Sequence, residues 1–314
     1  MSGLTGTRPN AGVLYGVAAM TVVGSSAAVL AGIADYPTFG GQALRYAGAT
    51  LVLLVILWLR RVRHLRLTGR ELGRLTLLAG TGLAGFNVCY VEAVRHGDPA
   101  SVGAIIGGVP IVLAVLDPLL RHRPPSVRLV AAAVVVSGGV ALTQGFGGGN
   151  LVSLLWAVGA LAGEVAFSLL AVPVLPRLGP LRVSAYAAAL SVPLLLVAAA
   201  LADGRGALPA PTAKEAVSFA YLAVVVTALA FVMWYAAVSA LGADRAGLCA
   251  GLAPASAVLA AWLLGTGSPN AADLVGALLV GCGVVLGLAP AVGGAADRDA
   301  EPDAARDGSG RAAR

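Results

Sequence analysis

Apolar residues come in runs close to 20 long, separated by short stretches rich in Gly, Pro and Arg. A helix needs about 20 such residues to cross the hydrocarbon of a bilayer, about 30 Å thick. The runs do not alternate in and out as the strands of a membrane barrel must. The pattern predicts ten helical spans, at about 11–33, 41–59, 74–94, 99–119, 126–145, 151–172, 182–202, 216–239, 246–265 and 271–291. The first has only Arg8 before it and a Gly/Ser-rich middle, which argues against a cleaved secretory signal. Residues 1–10 are short and polar, and 292–314 lack apolar periodicity and are expected to be a disordered tail.

The pattern also repeats. Phe86 to Pro110 reads FNVCYVEAVRHGDPASVGAIIGGVP, and Phe231 to Pro254 reads FVMWYAAVSALGADRAGLCAGLAP. In each, a Phe stands four residues before a Tyr (Phe86/Tyr90, Phe231/Tyr235) and a Gly seven after it (Gly97, Gly242). Pro110 lies 29 residues before Gly139-Val140, and Pro254 lies 29 before Gly283-Val284. Ten spans in two copies give five per copy. An odd unit must re-enter the membrane in the opposite sense, so the copies are related by a pseudo-two-fold axis in the membrane plane. The expected fold is all-α integral membrane: ten transmembrane helices as two inverted five-helix repeats, over 11–145 and 151–291.

Composition agrees. The chain is 58% hydrophobic and 11% charged, where a soluble domain carries about 25% charged residues. With the N-terminus inside, 17 of the 21 Lys and Arg fall on the inner side and four on the outer, so both termini are expected in the cytoplasm. The net charge of +6 therefore lies in loops, and the Arg60–Arg74 cluster reads as a topology-setting loop rather than a nucleic-acid surface. Cys89, Cys249 and Cys282 are scattered in apolar runs without metal spacing, and the three histidines form no HExxH. Neither a nucleophile elbow nor a phosphate loop is present, so no enzyme activity, cofactor or metal is expected.

Ionisable groups within spans are costly and mark candidate sites. Glu164 lies in the middle of the sixth span, with Trp156, Ala160, Gly163 and Phe167 near its helical face. A carboxylate at that depth suits a proton or the cationic group of a substrate. Asn87 and Tyr90 on the third span, and Phe231, Trp234 and Tyr235 on the eighth, occupy equivalent places in the two repeats and could line a substrate cavity. Ser25, with Thr21 and Ser26, would add polar groups from the first span. Arg45 and Glu92 are candidates for a paired outer gate, and Pro110 and Pro254 for hinges. Asp117 is expected to snorkel at the inner end of its span, and Asp273 to suit a helix N-terminus. The pairs Gly103/Gly107, Gly159/Gly163, Gly247/Gly251 and Gly283/Gly287 have the spacing of close helix contacts.

The repeated Tyr90…Gly97…Pro110 and Tyr235…Gly242…Pro254 patterns, with Arg45 early in span two and Gly276…Gly283-Val284 in span ten, resemble the EamA family of the drug/metabolite transporter superfamily. The resemblance covers about residues 11–290. It implies a multi-pass carrier of the bacterial inner membrane, often an exporter of amino acids, other metabolites or toxic compounds. It also implies a central cavity lined by helices one, three, four, six, eight and nine. The family's Gly-Glu at the end of the proline helix is replaced here by Leu120-Arg121-His122 and Gly265-Thr266-Gly267. The expected function is secondary active transport of small metabolites or drugs by alternating access, with a proton or counter-substrate as coupling partner and Glu164 as proton-coupling candidate. A nucleotide-sugar or metabolite antiporter and a membrane sensor are the alternatives. The expected partners are a small-molecule substrate and the lipid bilayer, with a homodimer left open and no nucleic acid.

Overall fold

The computed structural model describes residues 9–62, 65–145, 149–265 and 267–289. The expectations for residues 1–8 and for the tail, and the positions Arg63, His64 and Thr266, lie outside the described residues. The ten helices are α1 (Pro9–Leu30), α2 (Thr38–Leu59), α3 (Gly69–His96), α4 (Pro99–Leu120) and α5 (Val127–Gln144) in the first repeat. The second contains α6 (Leu151–Leu169), α7 (Leu175–Gly206), α8 (Ala213–Leu241), α9 (Ala243–Leu263) and α10 (Ala271–Leu288). By length and composition α2 to α10 can each cross a membrane, and α1, with 22 residues, has the length to do so. No β-strand occurs among the described residues.

Local chemistry sets the helix ends, and does so twice. Thr68 and Glu71 form a reciprocal capping box at the start of α3, and Thr212 and Glu215 form the same box at the start of α8. Each threonine oxygen takes a backbone N–H that the first turn would otherwise leave unpaired. These caps start α3 and α8 several residues before the expected 74 and 216. Further along, Leu78–Gly85 in α3 and Leu222–Leu229 in α8 are π-helical. The widened turn shifts the face that the following residues present. The helix α7 also begins early, and bends at Gly179 (φ +74°), which precedes Pro180. Both proline helices are interrupted at corresponding places. In α4 a turn at Gly107-Gly108 separates Pro99–Ile106 from Val109–Leu120. In α9 a tight turn at Cys249–Gly251 separates Ala243–Leu248 from Leu252–Leu263.

Packing follows the repeat. The contact of α1 with α8 has its counterpart in that of α6 with α3, while α2 lies along α7 and α5 along α10. The α5/α10 crossing is tight enough to exclude side chains. A Cβ at Gly139 would lie 2.6 Å from the Gly276 carbonyl oxygen, and one at Gly283 would lie 2.9 Å from that of Ala132. These two contacts exchange under the repeat, because Ala132 and Gly139 stand 144 residues before Gly276 and Gly283. Among lipid tails there is no hydrophobic drive between helices, so close backbone approach supplies the attraction. All four Gly-xxx-Gly pairs named above face a neighbouring helix. The outer surface is apolar, with Leu51, Trp58, Val197 and Leu278 among its exposed residues. That surface suits lipid, and the architecture is that of an integral membrane protein.

Candidate functional site

A cavity of about 740 Å³ lies within the bundle, lined by every helix except α7 and α10. Its walls run from mid-bundle to the end that carries Leu30, Asp98 and Gln144. The other end is closed by the second half of α4 and the first half of α9. There Gly247 sits against Leu113, where a Cβ would lie 2.8 Å from the leucine Cδ1. Asp117, 3% exposed, pairs with Arg121 (3.0 Å) and accepts the backbone N–H of Asp244 (3.3 Å). The expectation that Asp117 snorkels to water is therefore wrong: the first turn of α9 covers it and uses it as a cap. Asp273 forms a capping box with Asn270 at the start of α10, as a carboxylate at that place should.

Three charged side chains line the cavity: Asp98 at the mouth, and Arg45 and Glu164 further in. Arg45 donates from Nε to Thr227 Oγ1 (2.6 Å), reaches Gln42 from Nη1 (3.5 Å), and sets its guanidinium 5.5 Å from the centre of the Tyr46 ring. Thr227 lies in the π-helical stretch of α8. Glu164, on α6, makes no hydrogen bond among the described residues and is only partly buried. Neither Arg45 nor Glu164 belongs to any ion pair among the described residues. Tyr46 and Asn87 line the same cavity. The Asn87 amide donates to the Leu83 carbonyl (2.7 Å).

Aromatic rings fill much of the remaining wall. Phe167 packs on Phe231 (centroids 4.9 Å apart), which meets Tyr46 (6.1 Å). Nearer the mouth, Phe86 stacks on Tyr90 (6.0 Å). Trp234 is anchored by its indole N–H to Ser168 Oγ (3.2 Å). Apolar walls with a few placed polar groups are the general make-up of small-molecule sites.

Of the residues singled out from sequence, Asn87, Tyr90, Glu164, Phe231, Trp234, Arg45, Pro110 and Pro254 line the cavity. Three do not. Tyr235 is fully buried one turn beyond Phe231, under Phe167, with its hydroxyl on the Phe167 carbonyl (3.3 Å). Ser25 is turned away, bonded to the Val22 carbonyl and the Tyr221 hydroxyl, while its neighbours Gly24 and Ser26 face inward. Glu92 pairs with Arg95 (2.7 Å), not with Arg45. Five residues on from Asn87, it is turned roughly 140° away from the cavity face. Around Glu164, Phe167 lines the cavity, Ala160 and Gly163 pack inside the bundle, and Trp156 is half-exposed and absent from the cavity wall. Sequence reading passed over Tyr46, Phe86 and Gln144. Tyr46 adjoins Arg45, and Gln144 is a polar residue ending an apolar span, so both carried a legible signal.

The sequence model of the EamA-like transporter family matches residues 10–144 and 149–288. An uncharacterized transporter of Bacillus subtilis, YetK, is 27% identical over 251 residues, covering 77% of this chain and 76% of its own. A probable terminal-alkyne amino-acid exporter of Streptantibioticus cattleyicolor is 27% identical over 262 residues, covering 82% of this chain and 86% of its own. A crystal structure of a protein 19% identical in sequence shares the fold, with a TM-score of 0.74 over 88% of this chain and 96% of that one. The two family matches fall one on each five-helix repeat, and the chain belongs to the EamA-like transporter family.

Proposed function

We propose that this protein is a secondary active exporter of small metabolites or drugs, amino acids and related compounds among them, working by alternating access. One observation carries the reading. Gly247 and Leu113 are in contact at the closed end, while their repeat counterparts, Gly103 and Ala257, both line the cavity at the open end. The early part of α4 packs instead on α5 and α6. Two near-equivalent halves thus hold opposite conformations of one contact. Exchanging them would open the closed end and close the open one. The turns before Pro110 and Pro254 are where the two helices would bend. Residues of an intact helix would have to break backbone hydrogen bonds to do so.

The Lys/Arg asymmetry supports both termini in the cytoplasm of a bacterial inner membrane. The cavity then opens to the outside. Glu164 is the proton-coupling candidate, since it alone among the cavity carboxylates lies deep in the bundle; Asp98 caps α4 at the mouth. The relative named as a probable terminal-alkyne amino-acid exporter supports cargo of that kind. Counterflow into preloaded proteoliposomes tests the reading. Accumulation of labelled solute against preloaded cargo is expected, and its absence for every family-type solute would remove the carrier.

A further inference from the structure

The two charges deep in the cavity, Arg45 and Glu164, rather than its size, restrict what it can hold; the third, Asp98, caps α4 at the mouth. Arg45 comes from the first repeat and Glu164 from the second. Both line the one cavity, as does Tyr46, which is 4% exposed. A charge kept at this depth without an opposite partner is costly, and such groups pair with one another, with backbone or with a ligand. Here they do not pair with one another. Of the five N–H donors of Arg45, Nε goes to Thr227 and one on Nη1 reaches Gln42. The rest of the fork suits a carboxylate, for which guanidinium geometry is adapted. The Glu164 oxygens, without hydrogen-bond donors among the described residues, suit an ammonium. While both groups are ionised, a solute with a single charge would satisfy one and leave the other uncompensated in an apolar site.

Resting on the carrier reading above, we infer that the cavity is a zwitterion site, in which Arg45 takes the carboxylate and Glu164 the ammonium of an amino-acid-like solute. Phe167, Phe231 and Trp234 give the rest of the molecule an apolar wall. Arg45 and Glu164 then set specificity for the two charges, and the aromatic wall sets it for the side chain.

The test is binding to the purified full chain in detergent, which does not depend on transport. The twenty common L-amino acids are screened by thermal shift, each beside its methyl ester and its N-acetyl derivative, and responders are followed by calorimetry. At least one amino acid should bind about tenfold or more tightly than both derivatives, the fold expected for losing one charge-assisted contact. Arg45→Gln should erase the preference over the ester and keep that over the N-acetyl form. Glu164→Gln should do the reverse. Arg45→Lys and Glu164→Asp, which retain the charges, should keep both preferences and show that the folded site survives substitution. No response from any of the twenty, derivatives bound as tightly as their parents, or equal losses for all three ligands in both variants would overturn the inference. Selective binding without counterflow would leave the zwitterion site standing and remove the carrier reading; counterflow with unselective binding would do the opposite.

Discussion

Gly247 of α9 rests against Leu113 of α4, and the pair that holds the same places in the other half, Gly103 and Ala257, lines the open cavity instead. The repeat is thus broken at one contact, and that contact is the one an alternating carrier has to exchange.

A side chain at Gly247 should disturb this balance. In Gly247→Val the new Cβ would crowd Leu113 Cδ1, 2.8 Å away. Overpacking of this kind costs about 1–3 kcal/mol, which would shift the populations of the two states by about 5- to 150-fold. Cys249, fully buried two residues on, reports the change. Its alkylation from the termini's side by an impermeant maleimide, in a Cys89→Ala/Cys282→Ala background, should speed up. An unchanged rate would mean that the contact does not govern closure.

Glu164→Gln should abolish the pH dependence of transport in proteoliposomes while leaving the fold intact. Arg45, Tyr46, Tyr90 and Asp98 are the other titratable groups that line the cavity with Glu164. Initial rates under an imposed pH gradient are the readout. Wild-type rates should respond to the gradient and the variant's should not; an equal response would take Glu164 out of coupling.

The α5/α10 crossing should be rigid scaffold. Gly139→Val places atoms against the backbone of α10, which cannot rotate away, and should cost about 1–3 kcal/mol or more of stability. Gly138→Val, with nothing within 4 Å, is the control and should melt near the wild type. Thermal melting in detergent distinguishes them.

Arg177 holds Glu71, which is 9% exposed, through its guanidinium, and also donates to the Arg66 carbonyl (3.0 Å). Arg177→Ala leaves the carboxylate with only its Thr68 donors and should lower the melting temperature. Adding Glu71→Gln should recover part of the loss, and a melting cycle over the four proteins measures the coupling.

Much of this was legible in the chain. The lengths of the apolar runs gave ten helices, and the spacing of Phe, Tyr, Gly and Pro gave the duplication, because membrane helices must be long and their crossings must be small. The caps were equally available: Thr68/Glu71 and Thr212/Glu215 stand 144 residues apart, like Pro110 and Pro254. Side-chain direction was not legible. Whether Tyr235 or Tyr46 reaches the cavity depends on how α8 and α2 are rotated, and the π-helical stretch before Phe231 changes that rotation without a mark in composition. Asp117 looked like an interfacial charge because the backbone N–H it accepts, that of Asp244, comes from the other repeat. The missing Arg45–Glu92 pair is a matter of helix phase, which boundaries uncertain by a few residues cannot fix.

The claim on which the account depends is that the two ends open and close in opposition. Electron–electron distance measurements in proteoliposomes test it, with spin labels at Ala100 and Leu264 for one end and at Leu120 and Arg245 for the other. Two distance populations are predicted at each end, the short one at one end matched in weight by the long one at the other, with both moving together when cargo is added. A single fixed distance at each end, with and without cargo, in protein that still transports, would contradict it.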